Sequence, residues 1–256
     1  MPDLRAGGAP ALRPPRAPLA PPVPVQPPLG LGIPGYAHPL VAPLEWGELA
    51  RAPRAVHWSV LNVAGSGGGP GSRPDPHCLQ AAGALRCAGV RVLGQLDLRW
   101  GRRPFGELIT EAHRYLEWYK VDGFYLERCP TERSLLQTVR RTSTTLGALS
   151  PGAHIVLAHG THPYPGYAEA ADQLVTFAGS WTDYRWSQVA EWTAEHPAER
   201  FVHQVHGVPR SHLEEAMRIA RWHGAGTVYF TDRRSWEAMP GYWDEIVSRI
   251  GRQVSE

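Results

Sequence analysis

Two acidic residues stand where apolar runs of the chain stop: Asp97 closes VRVLGQLD (90–97) and Glu127 closes GFYLE (123–127). Side chains alternate faces along an extended chain. Glu127 therefore shares a face with Tyr125 and Gly123, and Asp97 shares one with Gln95. Phe124, Leu126, Val92 and Leu96 take the opposite, apolar faces. Carboxylates at neighbouring strand ends suit acid/base hydrolysis, in which one group stays protonated to donate to a leaving oxygen and the other is ionised. Sharing one cleft pushes their pKa values apart. Asp97 also has a plainer reading, an ion pair with Arg99 or Arg102. Arg128 follows Glu127 but faces away from it by parity, and Asp232 falls on the outward parity of Val228 and Phe230, as a loop or capping group would.

Histidines mark further run ends, at His38, His159 and His206. Several histidines in one mouth would suit a metal-assisted hydrolase. The first run lacks a His-x-His pair, however, and His203 and His206 sit three apart, on opposite faces. Hydrogen bonding to a polar ligand is the expectation for His159 and His206, with no metal site and no cofactor. Tyr36, Trp100, Trp181, Tyr184 and Trp186 lie in or beside the loops that would ring such a mouth, and Tyr125 and Tyr229 lie on the runs themselves. Sugar C–H faces stack on aromatic rings, so this distribution fits a carbohydrate cleft, although tryptophans also pack between helices. Asn62, Arg99 and Arg128 add donors at run ends, and Asn62 could equally start the glycine-rich turn that follows it.

These groups need a frame that gathers strand ends. From Gly30 onward a short β-rich run alternates with an amphipathic stretch, eight times over. The runs cover 31–36, 55–62, 90–97, 123–127, 154–160, 173–179, 200–207 and 227–232. The helix candidates are 43–52, 76–89, 104–120, 131–150, a short 167–171, 185–197, 211–226 and 241–251. In the third, Leu108, Ala112, Tyr115 and Tyr119 share one face at helical spacing. Ser211 with Glu214 reads as a capping box. Eight strand–helix units in this length predict a (β/α)8 TIM-type barrel over 30–252, whose chemistry sits where the strands end. An open doubly wound sheet is the rival, but it wants a Gly-rich phosphate turn after its first strand. GSGGGPGS (65–72) follows the second run and lacks the Lys-Ser/Thr of a P-loop.

Composition narrows the partners. The net charge is +2 and Lys120 is the only lysine, with no basic run, so no nucleic-acid surface is expected. Three cysteines, Cys78, Cys87 and Cys129, form neither an even disulfide set nor a metal-type CxxC pair, and read as buried thiols. No apolar run is long enough to span a membrane. Residues 1–29, rich in proline, read as a disordered or polyproline-like tail that cannot make the helical core of a signal peptide, so a cytoplasmic location is the default expectation.

Five segments together resemble the spherulation-specific family 4 (spherulin 4-like) proteins: WSVLNVAGSGGGPG (58–71), VRVLGQLDLRWGRRP (90–104), WYKVDGFYLERCP (118–130), IVLAHGTHPYPGY (155–167) and DQLVTFAG (172–179). The family is related to glycosidases acting on galactosamine-containing polysaccharides. The resemblance implies a (β/α)8-type hydrolase fold, a carbohydrate ligand and glycoside hydrolysis, with Glu127 as main carboxylate and Asp97 as the nearest partner. The sequence departs from the family pattern at three places. Glu127-Arg128 stands where the family commonly has Asp-Glu, Phe177-Ala178 where it has Phe-Glu, and Ala158-His159-Gly160 where it has Asn-Pro-Gly. A barrel that binds sugar without cutting it is therefore the alternative to a glycosidase, and a metal-assisted hydrolase is a third reading.

Overall fold

The computed structural model describes residues 28–64 and 68–253. Eight parallel strands close into a barrel in sequence order: β1 (Gly30–Ile33), β2 (Val56–Leu61), β3 (Arg91–Asp97), β4 (Gly123–Glu127), β5 (His154–Ala158), β6 (Gln173–Ser180), β7 (Phe201–His206) and β8 (Thr227–Thr231). Leu31 pairs with Val56 on one side and Val228 on the other, which joins the last strand to the first. Among the described residues seven α-helices accompany them: α1 (Pro43–Arg51), α2 (Pro76–Ala88), α3 (Phe105–Arg114), α4 (Leu136–Leu149), the four-residue α5 (Trp181–Tyr184), α6 (Leu213–Trp222) and α7 (Trp243–Gln253). The structure is the expected TIM barrel, and every strand lies within the run that predicted it or within one residue of it.

The strand pattern explains the two cores. Trp58, Val60, Leu93, Tyr125, Val156, Val175 and Val202 fill the lumen. The alternate residues, such as Leu96, Phe124, Leu126, Leu157, Leu174, Val228 and Phe230, pack outward under the helices. Beneath the lumen core lies a polar plug. Gln173 Oε1 accepts from Trp58 Nε1 at 2.7 Å, while its Nε2 donates to Thr227 Oγ1 at 3.0 Å and to the Glu199 carbonyl at 2.8 Å. These bonds satisfy buried polar atoms that would each cost about 1–3 kcal/mol unpaired.

After α3 the chain makes a π-helical turn, Tyr115–Tyr119, and leaves it through Lys120 at φ +53°. Tyr115, which opens that turn, lies over β3, and its hydroxyl donates to the Leu61 carbonyl at the end of β2 at 3.1 Å. Only glycine fits under it: a Cβ on Gly94 would lie 2.7 Å from the ring. Lys120 is exposed and borders a shallow groove of about 480 Å³ with Arg86, Arg91 and Asp122, where β3, β4 and β5 begin.

Two local expectations are corrected. Residues 185–197 do not form a helix; they hold a 3-10 turn at Glu191–Glu195 and loop. The periodic pattern there packs only Thr193 and Trp192 against the core, and Trp186 is 79% exposed. The Ser211–Glu214 capping box is not made either. Ser211 lies in a 3-10 turn (Arg210–His212), α6 has no side-chain cap, and the serine hydroxyl meets His212 Nδ1 at 3.1 Å. The tail expected over 1–29 lies outside the described residues except for its last two, of which Leu29 is buried against the core.

Candidate functional site

Asp97 and Glu127 are register partners at the C-terminal ends of β3 and β4, as side-by-side strand ends should be. Beyond them both strands break sharply. Arg99, Trp100 and Arg128 adopt left-handed backbone angles, with φ of +46°, +55° and +49°. Such angles cost a non-glycine residue about 1–2 kcal/mol each, and strain concentrated in one place is typical of functional sites. Backbone bonds hold the break in shape: Leu98 N–H donates to the Glu127 carbonyl at 2.9 Å and Trp100 N–H to the Arg128 carbonyl at 2.8 Å.

The break re-aims Arg128. Parity put it on the face opposite Glu127, but alternation holds only while the chain stays extended, and at φ +49° the side chain turns back to the same mouth. Its Nε donates to Asp97 Oδ1 at 2.8 Å and its Nη2 donates to Oδ2 in closer contact. Its guanidinium also lies 4.9 Å from the centroid of the Trp100 ring. Asp97 accepts in addition from Arg99 N–H at 2.9 Å, with Arg99 Nε 3.7 Å away. Burial alone would lift the Asp97 carboxyl, but these donors outweigh it and hold it below the usual carboxylate range. At 2% exposure Asp97 is covered and does not line the cleft.

Glu127 does line it. The mouth holds two adjoining chambers of about 310 and 370 Å³, which share Pro34, Gln95, Glu127 and Trp236. Gln95 Nε2 donates to Glu127 Oε2 in a short contact. Burial, reinforced by the nearby Asp97 charge, pushes the Glu127 carboxyl up despite the Gln95 bond and the Arg128 charge. So one carboxylate is held ionised and covered, and the other is raised and faces the cavity.

The remaining predicted residues divide between the chambers and their surroundings. Tyr125, Arg128 and His159 border the first chamber, and Tyr36 and Asn62 the second. Arg99 is exposed and faces Asp97. Tyr229 is buried, its hydroxyl donating to the Ala238 carbonyl at 3.4 Å. His206 stands edge-on to Trp236, 5.4 Å between ring centroids, and Trp181 is buried beside Tyr184 and His212; neither lines a chamber. Asp232, expected to be structural, accepts from Gly241 N–H at 2.8 Å.

His159 Nδ1 lies 2.9 Å from the Pro130 carbonyl, which fixes the proton on Nδ1 and leaves Nε2 an acceptor. Burial lowers this imidazole to about 4, so it is neutral in ordinary buffers. Its Nε2 and Gln204 Nε2 are buried polar atoms with no hydrogen-bond partner among the described residues. Gln204 and Trp236 were not singled out in the sequence. Gln204 sits on the inward parity of β7, the signal that would have found it, whereas nothing local marks Trp236.

A closed (β/α)8 barrel with a raised carboxyl in an aromatic-edged cleft at its strand ends defines the class: a TIM-barrel protein with its candidate site at the C-terminal mouth. Within that class the chain belongs to spherulation-specific family 4, whose family model matches residues 31–250. It is 22% identical over 166 residues to Spherulin-4 of Physarum polycephalum, a match covering 64% of this chain and 49% of that protein. The matched region thus spans about half of that relative. In fold it is similar to Aspergillus clavatus Sph3 solved in complex with GalNAc, with a TM-score of 0.76 at 22% identity over 89% of this chain and 99% of the other. It is also similar to a GH18 chitinase from Pseudoalteromonas aurantia, with a TM-score of 0.54 at 13% identity over 86% and 100%.

Proposed function

We propose that the chain is a glycoside hydrolase acting on an amino-sugar polysaccharide or oligosaccharide, with Glu127 as its proton donor. One observation carries this: Glu127 is the carboxyl lining both chambers, and its surroundings favour the protonated form a general acid requires. Gln95 holds Oε2, so Oε1 is the oxygen that delivers the proton to the glycosidic oxygen. Asp97 acts at one remove. Its fixed negative charge helps keep Glu127 protonated, and its grip on Arg128 sets the wall of the first chamber. Glu237, on the loop after β8, is a further acidic residue lining the second chamber. The GalNAc bound in Sph3 and the chitinase likeness support an amino sugar as the ligand class.

The test is hydrolysis of galactosamine- and N-acetylgalactosamine-type oligosaccharides by wild type and Glu127→Gln. Products from wild type alone support the assignment, and full activity in the variant ends it. A second reading, a barrel that binds sugar and does not cut it, draws support from the Arg128 clamp on Asp97 and from Ala178, which gives β6 no acid in the first chamber. Under that reading both proteins bind the oligosaccharide and neither releases products.

A further inference from the structure

At the edge of the second chamber, which His38 lines, the fold gathers three side chains that the proposed hydrolysis does not use. His38 sits on the loop after β1, Asp75 caps α2, and Cys78 lies in the first turn of that helix. His38 Nε2 is 3.4 Å from Asp75 Oδ1 and 3.3 Å from Cys78 Sγ, and one ligand atom from each residue fits within 4.8 Å of the others. With bonds of roughly 2.0–2.3 Å to nitrogen, oxygen and sulfur, ligand pairs on a tetrahedral zinc ion lie about 3.4–3.6 Å apart. Both contacts of His38 therefore already have about that spacing, and the three ligand atoms are close enough together to share one ion.

We propose that His38, Asp75 and Cys78 bind a single zinc-type transition-metal ion, which clamps the β1–α1 loop onto the start of α2. The donor set selects the metal: a thiolate and an imidazole suit zinc, and hard oxygen-seeking ions such as magnesium do not. Burial differs across the site in a useful way. Cys78 is fully buried, whereas the His38 and Asp75 side chains are each 29% exposed, so the ion has an entry side and a fourth position for water. His77, exposed and next to Cys78 in sequence, stands edge-on to His38 with 6.3 Å between ring centroids.

Support for the ligands is in place. Asp75 Oδ1 accepts from the N–H groups of His77 and Cys78, both at 2.9 Å, which fixes the carboxylate and leaves Oδ2 as the oxygen free to take the ion. Binding moves two protons. The Cys78 thiol loses its own to solvent, and the His38 proton shifts from Nε2 to Nδ1, displacing the long 3.2 Å bond now donated by Leu40 N–H. The competing account is an ion-free arrangement in which His38 Nε2–H is simply shared between the thiol and the carboxylate.

The experiment uses the full chain, stripped with chelator and titrated with Zn²⁺ and with Co²⁺ as an optical probe. Expected is one metal per chain with a Kd tighter than about 1 μM, a cobalt–thiolate charge-transfer band, and a Tm rise of about 5–10 °C at saturating zinc. Cys78→Ala abolishes the band. Asp75→Asn, which keeps a good helix cap, weakens binding at least tenfold, and Cys87→Ser and Cys129→Ser leave it unchanged. If Cys78→Ala fails to fold, His38→Ala on the surface loop gives the same reading. Binding weaker than about 1 μM, or a band that survives Cys78→Ala or His38→Ala, overturns the site.

Discussion

Replacing Arg128 with alanine removes two charge-assisted bonds from a carboxylate that is 2% exposed. Breaking a fully buried ion pair costs about 3–5 kcal/mol because it strands the remaining charge. Here the loss is smaller. Arg128 is itself 38% exposed, Asp97 keeps the Arg99 N–H bond at 2.9 Å, and the Arg99 side chain can close from 3.7 Å. About 2 kcal/mol is the expected cost, in the range of losing charged hydrogen bonds at a partly rescued site. For a domain of this size that lowers Tm by about 4–8 °C. Arg128→Gly loses the same bonds but relieves the left-handed backbone, and so recovers about 1 kcal/mol relative to alanine. Asp97→Asn closes the cycle: once the charge is gone, Arg128→Ala costs at least about 1 kcal/mol less than in wild type. The penalty also depends on pH. A carboxyl held below its usual range stabilises the fold above the unfolded Asp value of about 3.9 and loses that contribution as pH falls through its lower folded value. The Arg128→Ala deficit therefore narrows in acid. Calorimetry of the four proteins of this cycle from pH 3 to 7 decides the matter. An Arg128→Ala Tm within 1 °C of wild type at pH 7, or strictly additive effects in the cycle, refutes the reasoning.

Further outcomes follow from the same geometry. Glu127→Gln is expected to raise Tm at neutral pH, because a carboxyl whose folded pKa is raised is destabilising when ionised; the gain vanishes as pH falls toward the unfolded value near about 4.3, and a pH series of melts checks it. Gln173→Leu strands the Trp58 indole N–H and takes the Gln173 donor from the Glu199 carbonyl, while Thr227 keeps His57 Nδ1 at 3.1 Å, so two lost partners cost about 2–4 kcal/mol in urea unfolding with little change in m. His159, lowered to about 4, makes the fold less stable as pH drops from about 6.5 toward 4, since the unfolded chain binds its proton first. His159→Gln should flatten that part of the stability curve, and the histidine NMR titration should place its midpoint below every exposed imidazole.

The strands were legible because a barrel strand carries its own signature: an apolar outer face, a polar end, and parity that sends Tyr125 into the lumen and Glu127 to its mouth. Parity stopped being informative one residue later. Nothing in ERCP announces that Arg128 turns left-handed, because that angle is set by bonds to Trp100 and Asp97 some thirty residues back. The ion pair weighed for Asp97 exists, but its main partner is Arg128 and Arg102 plays no part in it. Residues 185–197 misled for the opposite reason, since of their local helical pattern only Trp192 and Thr193 pack against the core, too little to hold a helix there. The His38, Asp75 and Cys78 cluster was invisible because spacings of 37 and 3 residues match no local motif; only the docking of the β1–α1 loop on α2 brings them together.

Lys120 has a practical consequence. It is the chain's single lysine, exposed where the strands begin, at the pole opposite the two chambers. Apart from the terminal amine, any amine-directed coupling to a bead, sensor chip or dye must attach there. The molecule is then tethered by its base with the mouth turned outward, so a polysaccharide too large to diffuse can be presented to immobilised protein in one orientation.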